Sequence, residues 1–126
     1  MEEKIRVLVV EPNKAPRECR ITNDLDHLQL AVGGMIEALY PFEDDVAIIC
    51  NEEGKLLNLP LNRCLKNARG EVYDIISGTF LLCGLTEDGF GSLSDTLLKK
   101  YSSYYENKER FLYVNQTLYV ISEKTD

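Results

Sequence analysis

Two uninterrupted apolar runs, Val46-Ala47-Ile48-Ile49-Cys50 and Phe80-Leu81-Leu82-Cys83, decide how this chain folds. Both are short, mostly aliphatic and bounded by turn residues, which is typical of buried β-strands. Neither approaches the roughly 20 apolar residues that a helix needs to cross a bilayer. The two runs therefore predict strands of a sheet, and we expect no membrane span.

Turn-forming residues flank the first run. The charged segment Glu43-Asp44-Asp45 precedes it, and Asn51-Glu52-Glu53-Gly54 follows it. The second segment predicts a hairpin connection in which Gly54 has a positive φ and Lys55–Leu57 form a short return strand.

The stretch between the two runs is less regular. Pro60 cannot donate a backbone hydrogen bond, so we expect no central strand around it. Residues 72–76 and 79–85 are strand-like, and Ser77-Gly78 between them predicts a bulge or a tight bend.

The N-terminal third predicts a hairpin followed by a helix. Residues 5–10 and 17–22 have strand composition and are joined by a loop with two prolines. Asn23 is the expected N-cap of a helix that ends at Gly33-Gly34, and residues 35–40 resume as a strand.

The C-terminal third predicts a second helix and a final hairpin. The helix begins at Ser92 or Ser94 and runs to about Asn107. Residues 111–121 follow as two apolar strands around the two-residue loop Asn115-Gln116. The pattern as a whole predicts an α+β fold, a mostly antiparallel sheet with two short amphipathic helices, in a single domain over residues 1–126.

Composition limits the classes of partner and the compartment. The 126 residues carry 14 basic and 21 acidic side chains, a formal charge of −7. Binding to nucleic-acid phosphates needs surplus Lys and Arg, so we expect no direct nucleic-acid binding. The N-terminus lacks a signal-peptide pattern, and the four cysteines form no CxxC pair. We therefore expect a cytoplasmic protein with reduced thiols.

Motifs for catalysis and for metal binding are absent from the sequence. The single histidine, His27, lies on the polar side of the first predicted helix. No nucleophile elbow, zinc motif, calcium loop or phosphate-binding glycine loop is present. We therefore expect no catalytic residue, no metal site and no cofactor, and the chain is not expected to be an enzyme.

A polar stretch behind the first apolar run supplies the candidate binding residues, which are Asn51, Glu52, Glu53, Lys55, Asn62 and Arg63. One interpretation is a self-satisfied loop in which Arg63 clamps the turn. Another is a surface that presents these groups to a ligand or a partner. Catalysis by Glu52 or Glu53 would need a cleft that shifts one carboxyl pKa, and the sequence indicates none.

Four motifs occur in order along the chain: Val32-Gly33-Gly34-Met35-Ile36-Glu37, Asn51-Glu52-Glu53-Gly54-Lys55, Leu59-Pro60-Leu61-Asn62-Arg63 and Asp74-Ile75-Ile76-Ser77-Gly78-Thr79-Phe80. Together they resemble a domain family without an assigned function, which occurs in bacteriophages, plasmids and conjugative elements, mainly of Gram-positive bacteria. The resemblance spans about residues 4–105 and leaves out the hairpin 111–121. It implies an intracellular accessory protein of mobile DNA, of which an anti-defence factor is one example.

These observations favour a non-enzymatic binding protein whose partner is another protein. Residues 51–55 and 59–63 would form its contact face. A second face would use the tyrosines of the C-terminal third, since tyrosine is enriched at interfaces; these are Tyr101, Tyr104, Tyr105, Tyr113 and Tyr119.

The alternative is a protein that binds or sequesters a nucleotide or another small anion. The backbone N–H groups of Gly33 and Gly34, together with Lys55 and Arg63, would hold the anion. A mimic of DNA is less favoured, because the acidic residues are interleaved with basic ones. The sequence leaves the oligomeric state open.

Overall fold

The computed structural model describes residues 3–125. In chain order the elements are β1 (Lys4–Val10), β2 (Arg17–Thr22), α1 (Leu25–Val32), β3 (Ile36–Leu39), β4 (Val46–Asn51), β5 (Leu61–Lys66), β6 (Val72–Ser77), β7 (Phe80–Thr86), β8 (Gly89–Gly91), α2 (Asp95–Tyr104), β9 (Lys108–Val114) and β10 (Thr117–Glu123). The strand-dominated α+β class predicted from the sequence is confirmed.

A central antiparallel sheet has the strand order β2-β1-β7-β4-β3, with the short β8 paired to β7. The two apolar runs are neighbours in this sheet, with Ile48 opposite Leu82. Every residue of β4 is buried. Burial of both faces of a strand requires a layer on each side of the sheet, which explains why these runs do not alternate with polar residues.

Helix α1 covers one face of the sheet. Leu28 and Val32 pack there with side chains from the central strands, among them Ala47 and Leu81. The N-cap is Asp24 rather than the predicted Asn23, and its carboxylate accepts the N–H of His27 at 2.8 Å. The helix ends as predicted, with Gly33 in the left-handed region at φ 81°.

Helix α2 and the two-stranded ribbon β5–β6 cover the opposite face. Leu93 and the rings of Tyr101 and Tyr105 are buried there, together with Leu65 and Ile76 of the ribbon. Ser94 is the N-cap of α2, and its hydroxyl accepts the N–H of Leu97. The helix ends at Tyr104, three residues earlier than the sequence pattern predicts.

The second two-stranded ribbon is the predicted hairpin, β9–β10. Its seven residue pairs are in regular register. Asn115 and Gln116 have φ values of 50° and 68°, as a type I′ loop requires. The ribbon lies beside β5, where the Glu109 carboxylate accepts the N–H of Cys64 at 2.8 Å.

The segment that follows β4 differs from the prediction. Residues 52–58 form consecutive turns, and no return strand occurs at Lys55–Leu57. Gly54 does not have the predicted positive φ. A Cβ at this position would lie 2.6 Å from the Ser77 carbonyl oxygen. Glycine is therefore needed for close packing rather than for backbone conformation. A strand, β5, begins directly after Pro60, and its pairing with β6 has two register shifts.

No helix within residues 3–125 is long and apolar enough to cross a membrane.

Candidate functional site

Asn51 lies at the end of β4, inside the protein. Its side-chain amide donates to the Val32 carbonyl at 3.2 Å, and its side-chain oxygen accepts the N–H of Glu53 at 2.8 Å. A Cβ on Gly34 would come within 2.9 Å of that amide nitrogen. Asn51 therefore fastens the end of α1 to the turn after β4 and is not presented to solvent.

Asn62 and Arg63 form a second buried hub. The Asn62 amide donates to the carbonyls of Val10 and Gly78, both at 2.9 Å, while its side-chain oxygen accepts from the Arg63 guanidinium. Arg63 also donates to the carbonyls of Lys14 and Tyr105, each at 2.8 Å. These two side chains join the β1–β2 loop, the β6–β7 bend and the end of α2.

The Arg63 guanidinium is fully buried, and the structure of residues 3–125 gives it no ion pair. Removal from water disfavours its charged form and lowers its pKa. Its Nε has no hydrogen-bond partner. Arg63 is thus a buried clamp, but it holds the β1–β2 loop and the end of α2 and not the turn at residues 51–54, which the sequence pattern had suggested.

Glu52, Glu53 and Lys55 remain at the surface. The Lys55 ammonium is paired with the Asp74 carboxylate. A small polar hollow of about 170 Å³ lies between β4 and β6, and its charged lining side chains are Glu37, Glu52, Lys55 and Asp74. The predicted contact face is therefore divided: Glu52 and Lys55 lie at the hollow, whereas Asn62 and Arg63 lie inside.

The structure does not assemble the anion site considered from the sequence. The N–H groups of Gly33 and Gly34 both bond to the carbonyl oxygen of Gln29, at 2.8 and 3.0 Å. They close the end of α1 and point at no open space. Arg63 is committed to backbone carbonyls, so Lys55 alone of that set reaches solvent.

A larger groove, which the sequence did not indicate, runs between the β3–β4 loop, the β5–β6 turn and α2. It encloses about 740 Å³. The rings of Tyr40, Tyr73 and Tyr104 line it and are 61%, 58% and 53% exposed. We call it the tyrosine groove; its other lining side chains include Phe42, Glu43, Asp44, Lys66, Lys100 and Tyr101.

Packed aromatic rings support one wall of the tyrosine groove. The Phe42 ring lies 4.6 Å from that of Tyr101 and 5.8 Å from that of Tyr104, measured between centroids. Tyr104 also packs edge-on against Tyr105 at 4.8 Å. Of the three half-exposed rings, Tyr104 is thus held by this cluster. The tyrosines predicted as surface are split, because Tyr101 and Tyr105 are core.

Charges of both signs border the tyrosine groove. The Asp44 carboxylate accepts from the Lys100 ammonium at 2.6 Å and from the Tyr101 hydroxyl at 2.7 Å. The hydrogen bond from Lys100 is the main reason why the pKa of Asp44 is lowered. Glu43 and Lys66 have no ion pair among residues 3–125, so each offers a free charge to a ligand.

The cysteines and the histidine show no reactive arrangement. All four cysteines are free thiols, and Cys50, Cys64 and Cys83 are buried. Burial raises the pKa of Cys50 to about 11 and that of Cys83 to about 12, so their thiolates are scarce near neutral pH. His27 is half-exposed and bonds Asp24 of its own helix cap at 2.7 Å.

Sequence comparison places most of these features in one known domain family. A family described as a domain of unknown function (DUF3846) matches residues 5–106. The matched part contains the buried hub and the tyrosine groove, and it ends before β9. No curated protein and no solved structure is significantly similar to the chain.

Proposed function

The chain belongs to the DUF3846 family, and we propose that it is a non-enzymatic binding protein that holds an extended segment of another protein in the tyrosine groove. The single observation that carries this proposal is the set of three half-exposed tyrosine rings around one groove. Aromatic side chains are enriched at protein interfaces, where they dominate the binding energy.

The ordered wall of the groove at Tyr104 supports this proposal. Binding costs less free energy when the contacting side chains are already ordered in the free protein. Tyr104 is ordered by its contacts with Phe42 and Tyr105, and the ion pair of Asp44 with Lys100 fixes the loop beside it. Little ordering of this wall is left to occur on binding.

The charges at the border define the chemistry of the partner. Aromatic-lined grooves accept proline-containing or other apolar segments in extended conformation. Glu43 and Lys66 are free to pair with one basic and one acidic side chain of such a segment. We therefore infer a ligand with an apolar or prolyl centre, flanked by residues of opposite charge.

The biological setting follows from the sequence and is part of the proposal. The resemblance to a family of phages and mobile elements supports an accessory role, with anti-defence activity as one example. Four free thiols support action in a reducing compartment such as the cytoplasm. The buried residues Asn51, Asn62 and Arg63 would then stabilise the fold and make no contact with the partner.

Selection from a displayed peptide library tests this function. We expect enriched peptides to bind the wild-type chain and to lose about tenfold or more in affinity with Tyr40→Ala or Tyr73→Ala, which is about 1.4 kcal/mol or more. Tyr113→Ala is the matched control, because this exposed ring lies on the β9–β10 hairpin. Failure to enrich any peptide, or equal losses with all three variants, would contradict the proposal.

A second candidate function uses the same groove for a nucleotide. Lys66 supplies a free ammonium beside rings on which a base can stack. Saturation with a nucleotide at a hundredfold its Kd would stabilise the fold by about 2.7 kcal/mol. A thermal-shift screen that raises the melting temperature with a nucleotide, and loses the shift with Lys66→Gln, would favour this function over peptide binding. No shift with any nucleotide would remove it.

A further inference from the structure

The outer edge of β10 is an unpaired strand edge. β10 pairs only with β9, and the far edge of β9 lies against β5, where Glu109 bonds the backbone of Cys64. Within residues 3–125, no strand pairs with the other side of β10. The hairpin thus has one protected edge and one open edge.

The hairpin register identifies the backbone groups at this open edge. A two-residue loop closes on a hydrogen-bonded pair, here Val114 and Thr117. Hydrogen-bonded and non-hydrogen-bonded pairs then alternate along the ladder. The N–H and C=O groups of Leu118, Val120 and Ser122 therefore point away from β9 and are available for pairing with another strand.

β10 lacks the features that usually block such an edge. Natural edge strands are protected by Pro, Lys, inward charges or bulges. The segment Thr117–Ser122 contains none of these, and its six pairs with β9 show no register shift. The one acidic residue of the strand, Glu123, is paired with Arg110 at 3.2 Å. The open edge is thus straight and electrically neutral.

We propose that β10 pairs antiparallel with β10 of a second copy of this chain, about a twofold axis at Val120. In that register Val120 lies opposite the second copy's Val120, and Leu118 lies opposite the second copy's Ser122. The three outward residues of each strand then form three hydrogen-bonded pairs. The result is one sheet of four strands, β9-β10-β10-β9, with the same surface used by both copies.

Charge and side-chain matching favour a second copy as the occupant. The chain carries a net charge of −7, which opposes contact between copies, so an interface between two copies has to avoid opposing like charges. The twofold register places no charged side chain opposite another, since Glu123 meets Thr117. On the solvent side, Tyr119 of one copy would lie opposite Ile121 of the second copy. Within its own copy, Tyr119 pairs with the exposed Leu112.

Sedimentation of the full chain over a range of concentrations tests the proposal. The wild-type chain is expected to sediment at twice the mass of one chain as concentration rises. Ser122→Pro removes one outward N–H without breaking a bond to β9, and it should weaken the dimer about tenfold or more. Ser122→Ala keeps the N–H and should leave the dimer unchanged.

A charge exchange tests the twofold register. Val120→Lys alone and Val120→Glu alone place like charges opposite each other and should sediment as monomers. An equimolar mixture of the two should restore a dimer. Circular dichroism of each variant reports whether the hairpin has formed, and Ser122→Pro with its alanine control decides the matter if the charged variants unfold. A wild-type chain that stays monomeric at every concentration, or a dimer unaffected by Ser122→Pro, would overturn the proposal.

Discussion

Arg63 is the largest of the fully buried side chains and illustrates how a polar motif acts from the interior. Its guanidinium donates three hydrogen bonds and has no carboxylate partner within residues 3–125, yet it connects Lys14 and Tyr105, which are 49 and 42 residues away along the chain. The sequence left open whether Arg63 clamps a loop or faces a partner. The bonds to these distant carbonyls show that Arg63 is a clamp, and no local sequence pattern indicates that they form.

Arg63→Ala should destabilise the protein. It leaves the buried carbonyl of Tyr105 and the part-buried carbonyl of Lys14 without the Arg63 donor, at a cost of about 1–3 kcal/mol. Urea unfolding followed by circular dichroism measures the loss. The control is Arg69→Ala, because the Arg69 side chain is 86% exposed; its effect should stay within about 0.5 kcal/mol. Equal effects of the two substitutions would argue against the clamp.

Gly54 is required by its close contact with β6. Because a Cβ would meet the Ser77 carbonyl at 2.6 Å, Gly54→Ala forces β6 and the turn apart. We expect a loss of about 1–3 kcal/mol in the free energy of unfolding. Glu53→Ala, on the exposed neighbour, should be nearly neutral. The sequence predicted the need for glycine at this position but assigned it to φ, since steric contact with β6 cannot be deduced from the turn alone.

Turns and helix caps could be predicted from the sequence where neighbouring residues alone determine their geometry. The Asn115-Gln116 loop and the cap of α2 depend on neighbouring residues only. The loop was predicted, and the cap was predicted as Ser92 or Ser94, of which the structure has Ser94. The segment 52–58 was not, because its turns are set by packing against β6. β5 was missed because Pro60 precludes a strand only at its own position, and the strand begins one residue later.

Ser94→Ala tests the start of α2. Loss of the hydroxyl that accepts the N–H of Leu97 should destabilise the protein by about 1 kcal/mol. Thermal unfolding measures the effect. Thr96→Ala, two residues later on the exposed side of the helix, serves as the control and should change stability little.

Gln116→Gly tests the hairpin loop. Gln116 holds a φ of 68°, which glycine adopts without steric cost, so the substitution should stabilise the hairpin by up to about 1 kcal/mol. A higher melting temperature with an unchanged spectrum is expected. A lower melting temperature would mean that the glutamine side chain contributes more than its backbone strain costs.

At the scale of the whole molecule, the layers on both faces of the sheet explain why the central strands are apolar throughout. The same burial gives a chemical prediction. Burial raises the pKa of Cys50 to about 11 and that of Cys64 to about 12, so a thiol reagent at neutral pH finds few thiolates there. Mass spectrometry should record one alkylation of the folded chain, at the partly exposed Cys19, and four after unfolding.

The tyrosine groove could not be predicted from the sequence. Tyr40, Tyr73 and Tyr104 come from a loop, a ribbon strand and a helix, and more than 30 residues separate each from the next along the chain. Periodicity indicates that a residue is exposed but not which distant residue lies beside it. The class of fold follows from short connections and strand-length runs, whereas the site follows from the way the layers meet.

The most direct test of the binding function is amide chemical-shift mapping in solution with a peptide selected from the library. Titration should shift the amide signals of Tyr40, Lys66, Tyr73 and Tyr104, while those of β10 and of Glu52 at the polar hollow should stay in place. Shifts confined to the hollow or to the hairpin, or no shift at saturating peptide, would contradict the binding function.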